Sequence, residues 1–315
     1  MIFFSSTVNV YSRGERRFGD EHQASGRGRG FDSMNFLRKY WIEMIMFSPL
    51  ILYIFYFTLV PVLQTITISF VDQYTQKVSF INYQLLFADI NFDRALFNTV
   101  FITLVGISLQ LFIAMIIALI LKQKFAGRGF FRTVMLIPMG VPTLVSGVTL
   151  LFIFGQTGYF NEILYRLGFI DTQPFWLGGG FETLFVIIFA DMWKVLPLTI
   201  LLLLAGLESI PDDVYEAAAV DGASAWTTFW HVTLPLLQPS ITMAVILRAI
   251  DSFRIFELPL VMAGKNAPVL STFAYEAFRR NQFGLSGAAA TVLLGLIIIF
   301  IIIYMLLIER KERGM

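Results

Sequence analysis

The sequence predicts an all-α membrane protein in which six helices cross the bilayer. The first observation is the composition: 57% of the 315 residues are apolar and 14% are charged, whereas soluble domains average about 45 to 50% and about 25%. The second observation is the distribution of the apolar residues. A helix needs about 20 of them in succession to cross a hydrocarbon core of about 30 Å, and the chain contains six stretches of that kind.

Four of the six predicted spans are free of Asp, Glu, Lys and Arg, and two are not. The uncharged spans one, two, three and six are predicted at 44–71, 95–121, 133–154 and 288–307. Span four is predicted at 183–207 and span five at 239–261, and their charged side chains are Asp191, Lys194, Arg248, Asp251, Arg254 and Glu257. Ionisable groups are expensive in hydrocarbon and normally face a bundle interior, a water-filled cavity or an opposite charge. We therefore expect the functional polar groups in spans four and five.

The distribution of Lys and Arg near the span ends predicts that both termini are cytoplasmic, because such residues favour that side. Nine lie on the predicted inner side, Arg38, Lys39, Lys122, Lys124, Arg128, Arg132, Arg310, Lys311 and Arg313, and six on the outer side, Lys77, Arg94, Arg166, Lys265, Arg279 and Arg280. The loop at 208–238 contains neither Lys nor Arg. Its expected cytoplasmic position follows from the parity of six spans.

Several classes of function are excluded by residue types that the sequence lacks. There is no cysteine, which excludes disulfides, thiolate catalysis and cysteine-ligated metals. The two histidines, His22 and His231, lie in polar segments, away from any position for an intramembrane base or metal ligand. No G-x4-G-K-[ST] motif is present to cradle nucleotide phosphates, and a net charge of +1 argues against nucleic acid as a partner. We expect no catalysis and no cofactor or metal bound by this chain.

Residues 1–33 are polar and show no helical or strand period. We interpret them as a mobile polar cytoplasmic tail, followed by a transmembrane domain at 34–315. A translation start at Met34 is an equally good account of this segment.

The loop at 208–238 predicts two short helices around a tight turn. Ser209 can cap the first helix, Pro211 suits its first position, and the two aspartates that follow complement the positive helix end. Gly222 then ends this helix.

The second helix of the loop is predicted from a cap at Ser224 to about Thr233, with a stop at Pro235. The three alanines at 217–219 form a face with little side chain, which lets another protein approach closely. Glu216 offers a carboxylate at the edge of that face for a cation on the partner.

The four charges of span five recur at every third residue with alternating sign. One interpretation is a self-neutralised ladder that joins span five to a neighbouring helix, because residues three apart are neighbours on a helix. The other is a polar wall for a hydroxylated substrate. Sugars bind through charge-assisted hydrogen bonds and aromatic stacking, and Phe253 and Phe256 interleave with the charges. The sequence leaves both interpretations open.

Spans three and four also contain helix-disrupting features. Pro138 and Pro142 predict a turn in span three that cannot be a uniform helix without strain. In span four, Asp191 and Lys194 have the spacing of a helical ion pair, and Pro197 frees a backbone carbonyl. A kinked, hydrated helix is the expected result.

A set of short motifs from span two onward has the spacing of a known family. The loop reads E-A-A-x3-G-x9-[IV]-x-L-P from Glu216 to Pro235, and the other matches are Pro138-x3-Pro142, Trp193-Lys194, Asp221-Gly222-Ala223-Ser224 and Asp251-x-Phe253. In these motifs the chain resembles the sugar-importer branch of the permeases of ATP-binding-cassette (ABC) importers. The resemblance implies a type I importer fold of the MetI-like kind, with cytoplasmic coupling helices.

The resemblance also implies partners and a role for the loop. The partners would be a second homologous permease, two ATPase subunits that bind ATP and Mg²⁺, and an extracytoplasmic sugar-binding lipoprotein, all in a bacterial or archaeal plasma membrane. The residues implied to couple ATPase movement to transport are Glu216, Ala217, Ala218, Asp221, Gly222, Ala223, Leu234 and Pro235.

The substrate implied by the resemblance is a sugar, with a disaccharide such as trehalose or maltose as the expected type, imported by alternating access. The pathway candidates from motif alignment and from the charged spans are Met139, Thr143, Asp191, Lys194, Leu198, Arg248, Asp251, Ser252, Arg254 and Glu257. The chain departs from the family pattern T-x-G-G-P after span five, where residues 263–268 read AGKNAP. Whether this subunit or its partner permease holds the sugar stays open.

The competing class is an ion-coupled secondary transporter of a polar solute, which would also carry charges in mid-span. That class gives no reason for the E-A-A spacing, and no inverted repeat is evident in the sequence. An intramembrane enzyme would need paired aspartates, a serine with a base or a His-Glu metal site, and the spans show none of these patterns.

Overall fold

A computed structural model describes residues 33–313 and the side chains of residues 40–308. The chain divides into two units, of which the first ends at Leu59 and the second begins at Val60. The predicted polar tail lies outside the described residues, apart from Ser33, the first residue of the first helix. Within the described residues the structure is helical, and the one extended pairing is an isolated bridge between Val71 and Val78.

The first unit contains helix α1, Ser33–Ile54, and a wide π-type turn at Phe55–Leu59. Its large apolar side chains are exposed in the isolated chain, Met46 to 74% for example. An uninterrupted apolar surface of this kind suits contact with lipid.

The second unit contains the remaining helices. The long ones are α4 (Ile90–Lys122), α6 (Thr143–Phe154), α8 (Phe181–Ser209), α12 (Gln238–Phe253) and α15 (Phe283–Arg313). The short ones are α2 (Val60–Ser69), α3 (Ile81–Ala88), α5 (Arg128–Val134), α7 (Tyr159–Arg166), α9 (Asp212–Val220), α10 (Ala225–Thr228), α11 (Leu234–Leu236), α13 (Glu257–Met262) and α14 (Leu270–Arg279).

The apolar helices in the described part of the chain number five, or six if one bent pair counts as a single span, which agrees with the six predicted spans. Five segments of the described chain are long and apolar enough to cross a membrane, Tyr40–Ser69, Ile90–Lys122, Thr143–Arg166, Phe181–Ser209 and Phe283–Ile308. A sixth is the bent pair Ala225–Leu236 and Gln238–Met262, whose parts meet at 65°. Among these segments α8 is the most enclosed.

Span three is divided, as Pro138 and Pro142 predict. Helix α5 is followed by a 3₁₀ turn at Ile137–Gly140, and α6 starts only at Thr143. Val141 is extended, with φ −81° and ψ 130°, because the ring of the following proline disfavours the helical conformation at the preceding residue. Within the span predicted at 133–154, the long helix is therefore limited to the second half, Thr143–Phe154.

Span five is also divided, which the sequence analysis did not predict. Helix α12 ends at Phe253, and α13 begins at Glu257 after a break in which Phe256 has φ −133° and ψ −58°. The carbonyl of Ile255 lies in this break and accepts a hydrogen bond from the Ser271 hydroxyl. A backbone group freed inside the membrane domain is thus satisfied by protein, as the absence of water in hydrocarbon requires.

The part of the second unit next to the loop at 208–238 is held together by packing of α4 on α8 and of α8 on α12. Ala114 and Ala118 of α4 lie with Leu203 and Leu207 of α8 in one buried cluster. A Cβ atom at Gly206 would collide with Ser240 and Leu237, so glycine permits the close approach of α8 and α12. This packing holds the start of span five beside the end of span four, where the loop at 208–238 leaves the membrane domain.

Candidate functional site

The first helix of the loop, α9, begins at Asp212 and ends in a turn at Gly222. Two aspartates lie in its first turn, where negative charge is favoured by the helix dipole. At its end, the N–H of Gly222 donates to Ala219 at 3.1 Å and the N–H of Ala223 donates to Ala218 at 3.0 Å. These two bonds form a Schellman motif, which requires the left-handed conformation that Gly222 adopts at φ 75°. The predicted helix end is confirmed.

The predicted cap at Ser209 is wrong. Helix α8 continues through Ser209, whose hydroxyl donates to the carbonyl of Gly206 at 2.7 Å. The residue before α9 is Pro211, and the extended Ile210 that precedes it ends α8. The connection between span four and the loop is therefore only two residues long.

The second helix of the loop is capped by Ser224, as predicted, since its hydroxyl accepts from the N–H of Thr227 at 3.2 Å. The helix passes through a wide π-type turn at Phe229–Thr233 and ends at Leu236. Pro235 was predicted to stop it, but the bend lies two residues later, at Leu237.

The loop presents both polar and apolar groups at its surface. Glu216 and Ala217 are exposed, whereas Ala218 packs inward. The second helix also carries an aromatic group that was not predicted. The rings of Trp226 and Trp230 are 5.6 Å apart, and 71% of Trp226 is exposed. Exposed apolar side chains clustered on a polar loop are typical of a surface that binds another protein or a membrane.

Within the membrane domain, Arg248 joins three helices. Its Nη2 donates to Asp191 Oδ2 at 2.5 Å and its Nε to Gln110 Oε1 at 2.8 Å. Gln110 in turn donates to the Thr199 hydroxyl at 2.6 Å. Arg248 and Gln110 are almost fully buried, so the network links spans two, four and five inside the protein. Gln110 and Thr199 were not predicted, because neutral polar residues stand out less in an apolar sequence than charges do.

The charge ladder predicted along span five is formed only in part. Arg254 pairs with Asp251 at 2.7 Å, three residues apart. Arg248 instead turns inward to Asp191, and the ladder is broken between Arg248 and Asp251. Three residues turn an α-helix by about 300°, so the two side chains differ in direction by about 60°. That difference places Arg248 inside the protein, whereas the Asp251 side chain is 44% exposed.

Lys194 was expected to pair with Asp191, but it has a different partner. Its Nζ donates to the carbonyl of Val141 at 2.7 Å. The extended backbone at Val141 leaves that carbonyl outside any helix, and the ammonium group of span four satisfies it. Asp191 forms its ion pair with Arg248 instead. Lys194 therefore holds the divided part of span three in place.

The remaining pathway candidates differ in exposure. Met139 is 49% exposed in the 3₁₀ turn, and Arg254 and Glu257 are exposed at the break in span five. Thr143 and Leu198 are partly buried. Ser252 is fully buried, and its hydroxyl has no hydrogen-bond partner among the described residues.

Comparison with known proteins places the chain in a family. The family profile described as "Binding-protein-dependent transport system inner membrane component" matches residues 110–314. The trehalose/maltose transport system permease protein MalF of Thermococcus litoralis is 36% identical over 271 residues, which are 83% of this chain and 91% of that protein. The trehalose transport system permease protein SugA of Mycobacterium tuberculosis is 33% identical over 237 residues, 74% of this chain and 75% of that protein.

A solved structure has the same fold. It is a crystal structure of a bacterial ABC transporter involved in the import of the acidic polysaccharide alginate, with a TM-score of 0.78 and 20% identity over 88% of this chain and 98% of that chain. The predicted ABC importer permease fold is confirmed. The chain belongs to the family of binding-protein-dependent transport system inner membrane components.

Proposed function

We propose that this chain is the permease subunit of an ATP-driven importer of a sugar, with a disaccharide such as trehalose or maltose as the substrate. The substrate class is supported by the two relatives described above, whose names specify trehalose or maltose.

The observation that carries the proposal is the geometry of the coupling loop, residues 208–238. The Schellman turn at Gly222 and the cap at Ser224 fix two helices that expose a carboxylate at Glu216 and an aromatic group at Trp226. The sequence has no phosphate-binding motif, so ATP and Mg²⁺ are held by a separate ATPase partner that contacts this surface. Closure of the ATPase partner moves the two helices as a rigid lever, which tilts spans four and five.

The substrate pathway is proposed to run along the exposed charges of span five, Asp251, Arg254 and Glu257. Asp251 lies about 20 Å along α12 from its first residue, within the apolar part of the chain, and its side chain is 44% exposed. An ion pair with Arg254 at this depth is expensive in contact with lipid. We therefore assign this face to a water-filled pathway shared with a second permease subunit, where carboxylate and guanidinium groups bind sugar hydroxyls.

The proposed transporter contains this chain, a second homologous permease, two ATPase subunits and an extracytoplasmic sugar-binding lipoprotein. Both termini and the coupling loop lie on the cytoplasmic side, so the lipoprotein docks on the opposite side. Binding of loaded lipoprotein and ATP favours one conformation over the other, as coupled transport requires.

The test is uptake by vesicles that contain the complete complex with its binding protein, measured with labelled trehalose, maltose and arabino-oligosaccharide. The proposal predicts uptake of trehalose or maltose with ATP on the cytoplasmic side and no uptake with ADP, whereas uptake of the arabino-oligosaccharide alone would contradict the proposed substrate. Uptake that persists without ATP and collapses when an ion gradient is dissipated would instead identify a secondary transporter.

A further inference from the structure

A group of charged residues at the cytoplasmic end of the membrane domain is not explained by the substrate pathway or by contact with an ATPase. We propose that Glu208 is a positioning residue: with Arg128 and Arg132 it ties the end of α8, from which the coupling loop leaves, to the ends of spans two and three, so that movement of the loop reaches span two as well as span four. The inference rests on the proposed function.

The tie is centred on one carboxylate oxygen. Arg128 Nη2 and Arg132 Nη2 both donate to Glu208 Oε1, the latter at 2.5 Å. Arg132 Nη2 also donates to the carbonyl of Leu121 at 3.3 Å, near the end of α4. Arg132 thus connects the end of span two directly to the end of span four.

The position of Glu208 is unfavourable without these arginines. It is the second-last residue of α8, where the negative end of the helix dipole disfavours a carboxylate. The two guanidinium groups offset this unfavourable interaction with the helix dipole, because charge-assisted hydrogen bonds are stronger than neutral ones. The side chains of Arg128, Arg132 and Glu208 are 24%, 30% and 42% exposed, so water only partly screens the attraction between them.

A second contact joins the same regions. Lys122 Nζ lies 3.7 Å from the centre of the Tyr215 ring, a cation–π distance. Tyr215 precedes Glu216 on α9, and Lys122 is the last residue of α4. The loop is therefore held to span two on both sides of its two-residue connection to α8.

Helix α5, which carries both arginines, has a second surface of exposed aromatic rings. Phe130 is 69% exposed and Phe131 is 55% exposed. A helix with arginines on one face and phenylalanines on the other suits the boundary between lipid and water, so α5 is held at that boundary while its arginines bind Glu208. Loss of the tie leaves the contact between Lys122 and Tyr215 and the chain at Ile210 and Pro211 as the links between α9 and the membrane domain, and the movement of α9 is then transmitted incompletely.

The decisive variants reverse the charges. Glu208→Arg breaks the tie and adds repulsion, and the triple variant Arg128→Glu, Arg132→Glu, Glu208→Arg restores opposite charges. We expect Glu208→Arg to lower the sugar imported per ATP hydrolysed by about threefold to tenfold, a change typical of coupling residues outside the ligand sites, and the triple variant to recover most of it. Two matched controls are expected to behave as the wild type does. Lys124→Glu changes an exposed cation in the segment 123–127 between α4 and α5, and Glu162→Arg changes one member of the exposed pair with Arg166.

A distance measurement that does not require transport distinguishes failure of this inference from failure of the proposed function. The chain has no native cysteine. Spin labels attached through the substitutions Lys124→Cys and Asp221→Cys therefore report the distance between the segment 123–127 and the coupling loop. We expect a narrow distribution, broadened by Glu208→Arg and narrowed again by the triple variant. An unchanged distribution, an unchanged sugar-to-ATP ratio, or a loss limited to the amount of assembled complex would overturn the inference. A wild-type complex with a narrow distribution but no ATP-driven uptake would overturn the proposed function instead.

Discussion

Arg248 donates to Asp191 at 2.5 Å within the membrane domain, and the arginine side chain is only 3% exposed. The two residues are 57 positions apart in the sequence and join spans four and five. A buried pair of this kind differs from the exposed pair of Asp251 and Arg254 one turn farther along α12. The two pairs therefore predict different consequences when one member is removed.

Removal of Arg248 is expected to impair stability. Arg248→Met leaves the Asp191 carboxylate buried without its partner, which costs about 3 to 5 kcal/mol. Replacing both residues, as Asp191→Leu with Arg248→Met, is expected to recover most of that loss because no unpaired charge remains. Thermal unfolding of the purified protein in detergent measures both effects. A single variant as stable as the wild type would show that the pair is not formed in the folded protein.

Removal of Asp251 is expected to impair transport and spare assembly. An exposed pair three residues apart contributes about 0 to 1 kcal/mol, so Asp251→Ala leaves the amount of assembled complex unchanged. Because the proposed role of the carboxylate is to bind sugar hydroxyls, we expect at least about a tenfold loss of uptake per complex, within the range for a lost charged hydrogen bond. Glu162→Ala, which removes one member of an exposed outer pair, is the control. A variant that assembles poorly but transports normally per complex would identify the pair as structural.

Substitution of Gly222 tests the turn of the coupling loop. At φ 75° a β-branched residue is strained, by about 1 to 2 kcal/mol or more. Gly222→Val should therefore displace the two helices and lower the sugar imported per ATP severalfold, with normal insertion into the membrane. Gly222→Asn is the matched control, because asparagine tolerates this conformation. Equal coupling in the two variants would contradict the role of the turn.

Substitution of Lys194 tests the link between spans three and four. Lys194→Met removes the donor to the Val141 carbonyl, and a hydrogen bond to a charged group contributes about 1.5 to 3 kcal/mol. Hydrogen exchange of the peptide that covers residues 137–146 should accelerate about tenfold or more as local opening becomes easier. Lys194→Arg keeps a cationic donor and should exchange nearly as the wild type does. Unchanged exchange in Lys194→Met would rule out a supporting role.

Features encoded by neighbouring residues were predictable from the sequence. Gly222 and Ser224 end and begin helices through bonds to residues no more than four positions away. Pro138 and Pro142 act on their own backbone, so the division of span three was also predictable. Ser209 was assigned wrongly because a serine at a helix end can bond backward as readily as it can cap the next helix.

Features that depend on contacts between helices were not predictable. Spacing along one helix suggested that Asp191 pairs with Lys194 and Arg248 with Asp251, but both assignments are wrong. The actual partners lie on other elements, the Val141 carbonyl 53 positions away and the Asp191 carboxylate 57 positions away. Neither spacing nor charge along one helix shows which face packs inward, and the carbonyl of Ile255 at the break in span five accepts from Ser271, 16 positions away on α14.

The central claim is that the coupling loop lies on the cytoplasmic side and receives an ATPase partner. The most direct measurement is labelling of Asp221→Cys, in a chain without other cysteines, by a membrane-impermeant maleimide applied to sealed vesicles of known orientation. The account predicts labelling only from the cytoplasmic side, with at least about a tenfold decrease when the ATPase subunits are bound, as expected for a contact that excludes solvent. Labelling from the outer side, or labelling that the ATPase subunits leave unchanged, would contradict it.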